Sequence, residues 1–336
     1  FKEFVKKAVN NYEARPFKIA KNIKMMVVDV KTGKKADFGS KKTIIESFKK
    51  EKIENKLNIG IDNFNTRKKN NIEKFSEKID FFEVDIRDFN AIEVILKNVD
   101  GIFHEAALAS VQDSFRITDE FFDVNVKSTE NIFKIGKKLG IKVVYASSSS
   151  VYGNPISIPI KENDDKNPFN PYAKTKLEDD KLAEKYAKNG LKVIGLRYFN
   201  VFGPRQSKEY AGVIKLFLER IQQSLPPLIN GDGLQVRDFV YVDDVVNANI
   251  VASDSDIDDA FFNIGTNSVV SDLDLANMII KFSGLEVKPI HQPAVPGDVK
   301  TTQADITKAK TMIKWKPTTS LKDWLKIAVL DVKNNL

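Results

Sequence analysis

The sequence predicts an α/β protein, with a doubly wound parallel sheet followed by a smaller α/β lobe. Two observations predict this class. Short β-rich runs alternate with amphipathic segments of helix length over the first two hundred or so residues, and such alternation is typical of a parallel sheet with helices on both faces. Turn-rich segments with short strands and helices between them then follow, which indicates a second lobe.

Each predicted element follows from a local pattern. Six β-rich runs are predicted strands: VVDV (27–30), LNIGID (57–62), DFFEVD (80–85), GIFHEA (101–106), KVVYAS (142–147) and KVIGLRYF (192–199). Four segments with apolar residues at three- and four-residue spacing are predicted helices: Ser40–Lys52, Phe89–Lys97, Asp119–Leu139 and Pro171–Ala187. Right-handed crossovers make the sheet Rossmann-like. We predict an N-terminal arm over 1–24, a Rossmann-like domain over 25–199 to which segments near 237–252 return, and a smaller lobe over 200–336.

Composition excludes several functional classes. The 336 residues include no cysteine and only two histidines, His104 and His291, so disulfides, thiolate nucleophiles and a histidine-based metal site are not expected. No apolar run is long enough to span a membrane or to form a signal peptide, and a cytoplasmic location is expected. The net charge of +7 comes from lysines that alternate with acidic residues and Asn, which favours a solvated surface over a nucleic-acid patch.

The stretch TGKKADFGS (32–40) stands where nucleotide-binding folds keep a glycine-rich turn. Gly33 and Gly39 keep that spacing, and Asp62 closes a predicted strand about twenty residues later, where a carboxylate binds the adenosine ribose hydroxyls and favours NAD over NADP. The alternative is an ordinary strand-end Asp in a turn. Ala36 and Asp37 replace the bare backbone expected beside a pyrophosphate, so the sequence predicts a weakened NAD site or a local irregularity.

Two further motifs indicate acid–base chemistry. YAKTK places Tyr172 and Lys176 one helical turn apart on one face, where an ammonium stabilises a phenolate and lets the tyrosine act as a base. One such pair is expected by chance in a lysine-rich chain with eight tyrosines. ASSSSVYG (146–153) closes a strand about 25 residues earlier, where open α/β sheets bind ligands; a serine-rich turn is the alternative.

The glycine turn, the strand-end Asp62, the serine run and the Tyr172/Lys176 pair follow one another along the chain. In that order they resemble the extended short-chain dehydrogenase/reductase family, and within it the nucleotide-sugar 4-epimerases. The resemblance covers nearly the whole chain after residue 25. It depends on these motifs: DNF (62–64), DIRD (85–88), HEAA (104–107), NVKST (125–129), SSSSVYG (147–153), PYAKTK (171–176), LRYFNVFGPRQ (196–206), NGDGLQVRDFVYVDDVV (230–246) and PGDV (296–299).

The resemblance implies a role for each matching residue. Tyr172 is implied to be the catalytic base, Lys176 its partner and a nicotinamide-ribose ligand, and Ser148, with Ser149 beside it, the partner of the sugar 4-oxygen. The implied cofactor contacts are Gly33, Ala36, Gly39, Asp62, Asn63, Asp85, Ile86, Ala106, Asn125 and Lys176. The implied substrate contacts are Ser110, Asn200, Arg237, Asp298 and Thr302, and Arg237 suits a diphosphate because a guanidinium forks onto phosphate oxygens.

The resemblance also implies the reaction: reversible C4 epimerisation of a UDP-hexose with bound NAD, in a homodimer formed by the helices 119–139 and 171–187. Related dehydratases carry Asp-Glu where Ser149 and Ser150 stand, and decarboxylases carry Glu at position 150, so neither reaction is expected. Thr302 leaves room for an N-acetyl group, which predicts UDP-GlcNAc and UDP-GalNAc as substrates besides UDP-Glc and UDP-Gal; a small surface residue is the alternative. Val295 replaces a family arginine that touches the substrate diphosphate.

Two alternatives from other classes stay open. One is an NAD-linked nucleotide-sugar dehydrogenase with net redox. The other is a non-catalytic nucleotide-binding relative whose altered TGKKADFGS loop no longer takes NAD.

Overall fold

The computed structural model describes residues 23–24, 43–44, 48–49, 58–65, 72–75, 77–204, 206, 212–294 and 299–334. The chain divides into two compact units. The first comprises Phe1–Ser147, Pro171–Leu196 and Asn249–Phe261, and the second comprises Ser148–Asn170, Arg197–Ala248 and Phe262–Leu336.

Fourteen strands lie in the described part of the chain. In chain order they are β1 Ile23–Lys24, β2 Thr43–Ile44, β3 Phe48–Lys49, β4 Asn58–Ile61, β5 Ile79–Glu83, β6 Gly101–His104, β7 Lys142–Ser148, β8 Val193–Tyr198, β9 Asn200–Phe202, β10 Leu228–Asn230, β11 Val236–Tyr241, β12 Asp259–Ile264, β13 Val269–Ser271 and β14 Ile290–Gln292.

Ten α-helices accompany these strands within the same residues. They are α1 Phe89–Ile95, α2 Val111–Arg116, α3 Thr118–Phe121, α4 Ser128–Leu139, α5 Pro171–Ala187, α6 Val213–Gln222, α7 Val242–Asp254, α8 Asp272–Ser283, α9 Thr307–Met312 and α10 Leu321–Asn334. None of them combines the length and the apolar content that crossing a bilayer requires.

The sheets confirm the predicted α/β, Rossmann-like class. Strands follow the order β12–β8–β7–β6 in a four-stranded sheet and β2–β5–β4 in a three-stranded one. β6 pairs with β7 in parallel, and β4 pairs with β5 in parallel. Because β4 and β5 run in the same direction, their carboxyl ends meet at one sheet edge.

Buried β-branched and aromatic residues hold the first unit together. β7 buries Val143, Val144 and Tyr145, each at most 1% exposed, as expected for a strand covered on both faces. α4 presents Ile132, Ile135 and Gly136 to the core, all buried, because residues three and four apart share one helix face.

The second unit has its own sheets and its own core. β11 pairs with β9 in parallel and with β13 in antiparallel orientation, and β10 pairs with β14. One apolar cluster of its core contains Phe202, Ile214, Phe217, Ile221, Ile229, Phe239, Leu275, Ala276, Ile279, Leu325 and Val329. The predicted short strands and helices after residue 200 are therefore confirmed.

Five of the six predicted strands are present, with ends shifted by one or two residues. Helix α5 has the predicted bounds, and the predicted helix 89–97 is α1 followed by a 3-10 turn, Leu96–Asn98. The sixth predicted strand, VVDV (27–30), lies outside the described residues.

Two predicted helices differ from the structure. The helix predicted over Ser40–Lys52 is wrong in its described parts, which are β2 and β3. β2 pairs antiparallel with β5, and its residues Thr43 and Ile44 are β-branched, which favours strands. The helix predicted over Asp119–Leu139 is divided into α3, a π-helical segment Phe122–Lys127 and α4.

Candidate active site

Helix α5 buries an unusually polar face. It begins at Pro171, which suits the first turn of a helix. Four polar residues on it are buried: Thr175, Lys176, Asp179 and Asp180. Buried polar groups cost free energy unless they are paired, so the partners of these four side chains define the site.

Lys176 lies one turn after Tyr172 on the same helix face. Its ammonium is 4% exposed, and it donates to the Ala146 carbonyl at 3.0 Å and to Asp179 Oδ2 at 3.1 Å. Burial opposes this charge, but Asp179, the Tyr172 phenol and Asp180 outweigh it and raise the pKa of Lys176. The structure thus brings the predicted pair together, with the lysine held as an ammonium.

Thr175 and Asn125 fix the backbone beneath Tyr172. The Thr175 hydroxyl donates to the Tyr172 carbonyl at 2.7 Å and accepts from Asn125 Nδ2 at 2.9 Å. The Asn125 side chain also donates to the Leu108 carbonyl and accepts from the Leu108 N–H. Asn125 stands in the π-helical segment, a geometry frequent at functional sites, and its amide ties the 105–110 loop to α5.

Asp180 is anchored by two hydroxyls from β7. Tyr145 and Ser147 each donate to its Oδ1 at 2.7 Å. All three residues are at most 3% exposed. These bonds hold α5 on the sheet next to Ala146, whose carbonyl accepts from Lys176.

His104, at the end of β6, is a buried neutral group. It is 3% exposed, and its Nε2 lies 2.7 Å from the Thr129 hydroxyl. Burial, followed by the nearby Lys176 charge, lowers the pKa of His104 to about 4. The ring is therefore uncharged at neutral pH.

Strand-end acids meet at the edge formed by β4 and β5. Asp62 directly follows β4 and accepts from the Phe64 N–H at 2.8 Å. Asn63 donates to Asp85, just beyond β5, at 3.1 Å. Burial works against the Asp85 charge, but hydrogen bonds from Arg87 outweigh it and lower the pKa of that carboxyl. The structure therefore brings three predicted cofactor residues together: Asp62, Asn63 and Asp85.

The remaining predicted residues of the first unit lie on neighbouring loops. Ile86 is 4% exposed, packed into the core next to Asp85. Ala106 lies in the loop that Asn125 holds, after β6. Ser110 caps helix α2, where its hydroxyl accepts from the Asp113 N–H at 3.1 Å.

The serine run turns the chain at the end of β7. Ser148 is the last residue of that strand, and a 3-10 turn, Ser149–Tyr152, follows. The Ser148 hydroxyl accepts from the Ser150 N–H at 3.2 Å. Gly153 ends the turn with φ 63°.

Three predicted substrate residues meet in the second unit. The Thr302 hydroxyl lies 3.3 Å from Asn200 Oδ1, and its N–H donates to the Val236 carbonyl at 3.1 Å. Arg237 donates to that carbonyl as well, at 3.1 Å. Thr302 is 9% exposed, so the alternative that it is a surface residue is wrong. Because the neighbouring Thr301 pairs in parallel with Val236 of β11, strand pairing decides the position of Thr302.

Several predicted positions lie outside the described residues. They are Gly33, Ala36 and Gly39 of TGKKADFGS, together with Val295 and Asp298.

Comparison with known proteins places this geometry in a family. Residues 42–265 match the NAD dependent epimerase/dehydratase family, which covers about two thirds of the chain. The chain belongs to that family. The matched region begins just after TGKKADFGS and contains both Tyr172 and Lys176.

The similarity between this chain and individual family members extends over most of its length. A putative UDP-glucose 4-epimerase of Methanocaldococcus jannaschii is 38% identical over 289 residues, which cover 84% of this chain and 93% of the relative. The crystal structure of UDP-glucose 4-epimerase with UDP-glucose from Thermotoga maritima is 33% identical with a TM-score of 0.77, and covers 82% of this chain and 90% of that one. A UDP-N-acetylglucosamine 4-epimerase from Methanobrevibacter ruminantium M1, in complex with UDP-N-acetylmuramic acid, is 32% identical with the same TM-score and the same coverage.

The structure places several side chains around Tyr172 and Lys176 that the sequence motifs did not indicate. Asp179, Asp180 and Thr175 were not singled out, although all lie within four residues of Lys176. The signal was available, because residues three and four apart face the same side of a helix. Tyr145 contacts Asp180 and Thr129 contacts His104. Both contacts join segments that are distant in sequence, so no local pattern indicates them.

Proposed function

We propose that this chain catalyses reversible C4 epimerisation of a UDP-hexose with bound NAD. The observation that carries the proposal is the pair on α5: a half-buried Tyr172 with a buried Lys176 one turn away. In a chain of the NAD dependent epimerase/dehydratase family, that pair supplies an acid–base group beside the reacting carbinol. The related proteins named above are 4-epimerases, which supports this reaction over others in the family.

The described residues suit the adenosine half of NAD. Asp62 and Asp85 present carboxylates at the carboxyl ends of parallel strands, where α/β sheets bind nucleotides. Asp62 would accept from the ribose hydroxyls, and Asp85 and Ile86 would flank the adenine. When bound, NAD supplies a hydride acceptor and donor for the sugar C4 and is regenerated in each turnover.

Tyr172 would carry the proton of the sugar 4-hydroxyl. A phenol is a weak base at its free pKa, and the ammonium of Lys176 favours its ionised form. Ser148 would orient the same oxygen with its hydroxyl. When the 4-ketose is reduced on its other face, Tyr172 would return the proton to O4.

Ser149 and Ser150 support epimerisation over dehydration and decarboxylation. Their hydroxyls do not ionise near neutral pH, so they cannot move protons at C5 or C6 as an acidic pair does. The chemistry therefore stays at C4, where Tyr172 supplies the one acid–base group it needs.

The pocket for the 2-substituent is assigned to Thr302. Its hydroxyl contacts Asn200, which we place on the substrate diphosphate with Arg237. A small side chain there leaves space for an N-acetyl group, so UDP-GlcNAc and UDP-GalNAc are proposed substrates beside UDP-Glc and UDP-Gal.

A homodimer and a cytoplasmic location complete the proposal. The exposed side chains of α4 are Lys134, Lys137 and Lys138, so an interface that uses this helix with α5 would be polar. Sedimentation equilibrium at micromolar protein tests it, and a monomer there would reject the interface.

The decisive experiment measures cofactor and turnover together. Mass spectrometry of ligands released from the purified protein should detect NAD, and proton NMR should show UDP-GlcNAc converting to UDP-GalNAc while the reduced-nicotinamide absorbance stays constant. Tyr172→Phe should lower kcat by about 100-fold or more. The matched control is Tyr186→Phe on the same helix, because the Tyr186 hydroxyl bonds to Glu130 instead.

Other results separate the alternatives. A rise in reduced-nicotinamide absorbance with UDP-sugar would indicate a dehydrogenase with net redox. A protein that releases no NAD and converts no sugar would be a non-catalytic relative. Equal activity of Tyr172→Phe and Tyr186→Phe would reject the assigned base.

A further inference from the structure

Helix α5 buries two neighbouring carboxylates, and they are partnered very differently. Asp180 accepts from two hydroxyls of β7. Asp179 is 0% exposed and contacts Lys176 through Oδ2, whereas its Oδ1 has no hydrogen-bond partner among the described residues. Among the described residues, the carboxylate of Asp179 therefore has Lys176 as its single hydrogen-bond partner.

Such a carboxylate is costly to bury. Desolvation of an ion pair commonly exceeds its Coulombic attraction, above all when lone pairs stay unsatisfied. Burial accordingly raises the pKa of Asp179 to about 6 despite the opposing effect of Lys176. A contribution to folding stability therefore does not explain why Asp179 is buried. Its hydrogen bond to Lys176 instead points to an effect on that ammonium.

On helix α5, Lys176 lies between the phenol of Tyr172 on one side and the carboxylate of Asp179 on the other. Tyr172 is four residues before it and Asp179 three residues after it. The ammonium spends two of its three N–H donors on Ala146 and Asp179. These two acceptors determine the direction of the third donor, and the Asp179 charge offsets part of the field that Lys176 exerts on Tyr172.

We propose that Asp179 is a positioning residue for the reaction: it orients the Lys176 ammonium and, by sharing its charge, weakens the electrostatic effect of Lys176 on the Tyr172 phenol. The inference rests on the proposed function, in which Tyr172 is the base. It adds a group that tunes the base without touching the substrate.

Three other titratable groups lie near this pair: Asp180, His104 and Glu105. From α5, Asp180 is bonded to Tyr145 and Ser147. From β6, His104 is neutral near pH 7, and Glu105 acts on His104 from the adjoining loop. Below about pH 6, a protonated Asp179 leaves the whole Lys176 charge to Tyr172.

Spectroscopic titration of the phenol tests the proposal directly. The phenolate absorbance of Tyr172 is obtained by subtracting the titration of Tyr172→Phe from that of the parent, in the wild-type background and in Asp179→Asn and Asp179→Ser. Both Asp179 variants should lower the midpoint by about one pH unit, because they remove the carboxylate that partly neutralises the Lys176 ammonium one turn from Tyr172. Glu178→Gln on the same helix should leave it unchanged, since Glu178 pairs with exposed Lys181.

A midpoint that is unchanged or higher in both Asp179 variants would overturn the proposal. The second variant protects against a local defect of the first, and far-ultraviolet circular dichroism confirms that each is folded. In the activity arm, the acid limb of kcat/KM for UDP-GlcNAc should shift to lower pH in both. If the wild type converts no UDP-sugar, the proposed function fails, whereas the phenol titration still decides the role of Asp179.

Discussion

Alanine substitution at Gly153 is expected to destabilise the protein much more than the same change at Gly140. The two glycines have similar φ angles, 63° and 67°. A Cβ at Gly153 would lie 1.9 Å from the Asn167 carbonyl oxygen, whereas a Cβ at Gly140 would have nothing within 4 Å. Their ψ angles differ, at −133° for Gly153 and 25° for Gly140, so the two variants differ in backbone strain as well as in steric contact.

The magnitude follows from two contributions. A left-handed conformation costs a non-glycine residue about 1–2 kcal/mol, and the more restricted unfolded chain returns about 0.4–1 kcal/mol, so Gly140→Ala should cost about 1 kcal/mol. At Gly153 the obstacle is a backbone oxygen that no rotamer change removes. The chain must shift, which adds about 1–3 kcal/mol of overpacking, so we expect a total loss of about 2–4 kcal/mol.

Urea unfolding followed by circular dichroism measures both variants. The midpoint of Gly153→Ala should lie clearly below that of Gly140→Ala at equal slope. Gly153 also ends the turn that positions Ser148, with its N–H donating to the Ser150 carbonyl, so kcat/KM should fall in that variant alone. Equal losses of stability in the two variants would refute the steric reasoning.

Three further predictions concern the site. Burial raises the pKa of Asp179 from 3.8 to about 6, so the stabilisation from its proton is fully present below pH 3.8 and is lost as pH rises through 6. The unfolding free energy of wild type should therefore fall relative to Asp179→Asn over that window, by up to about 3 kcal/mol, and parallel curves in urea titrations would contradict it. Thr175→Val leaves the Tyr172 carbonyl and the Asn125 amide without their shared hydroxyl; it should cost about 1–3 kcal/mol in urea unfolding and lower kcat, and an unchanged midpoint would reject the network. Thr302→Tyr should reduce turnover of the N-acetyl sugar pair by about 10-fold or more relative to the glucose/galactose pair, and an unchanged ratio would remove Thr302 from the pocket.

Local patterns were sufficient for much of the fold. The bounds of α5 and the cores of five strands were predictable because side-chain periodicity depends on covalent spacing alone. The same spacing predicted that Tyr172 and Lys176 share a face. It failed at residues 43–44, where helical spacing coexists with β-branched residues and pairing with β5 decides the outcome.

By itself, the sequence determined the fold class, the order of the elements and the position of the acid–base pair, since each follows from residues close together in the chain. Only the tertiary structure decided which polar groups are buried and which partners they meet. Asp179 and Asp180 are adjacent residues of the same type, yet β7 supplies hydroxyls to Asp180 alone. Burial and partner choice come from segments distant in sequence, and the free energy of a buried charge depends on those neighbours, so the tuning of Lys176 was invisible until the chain was folded.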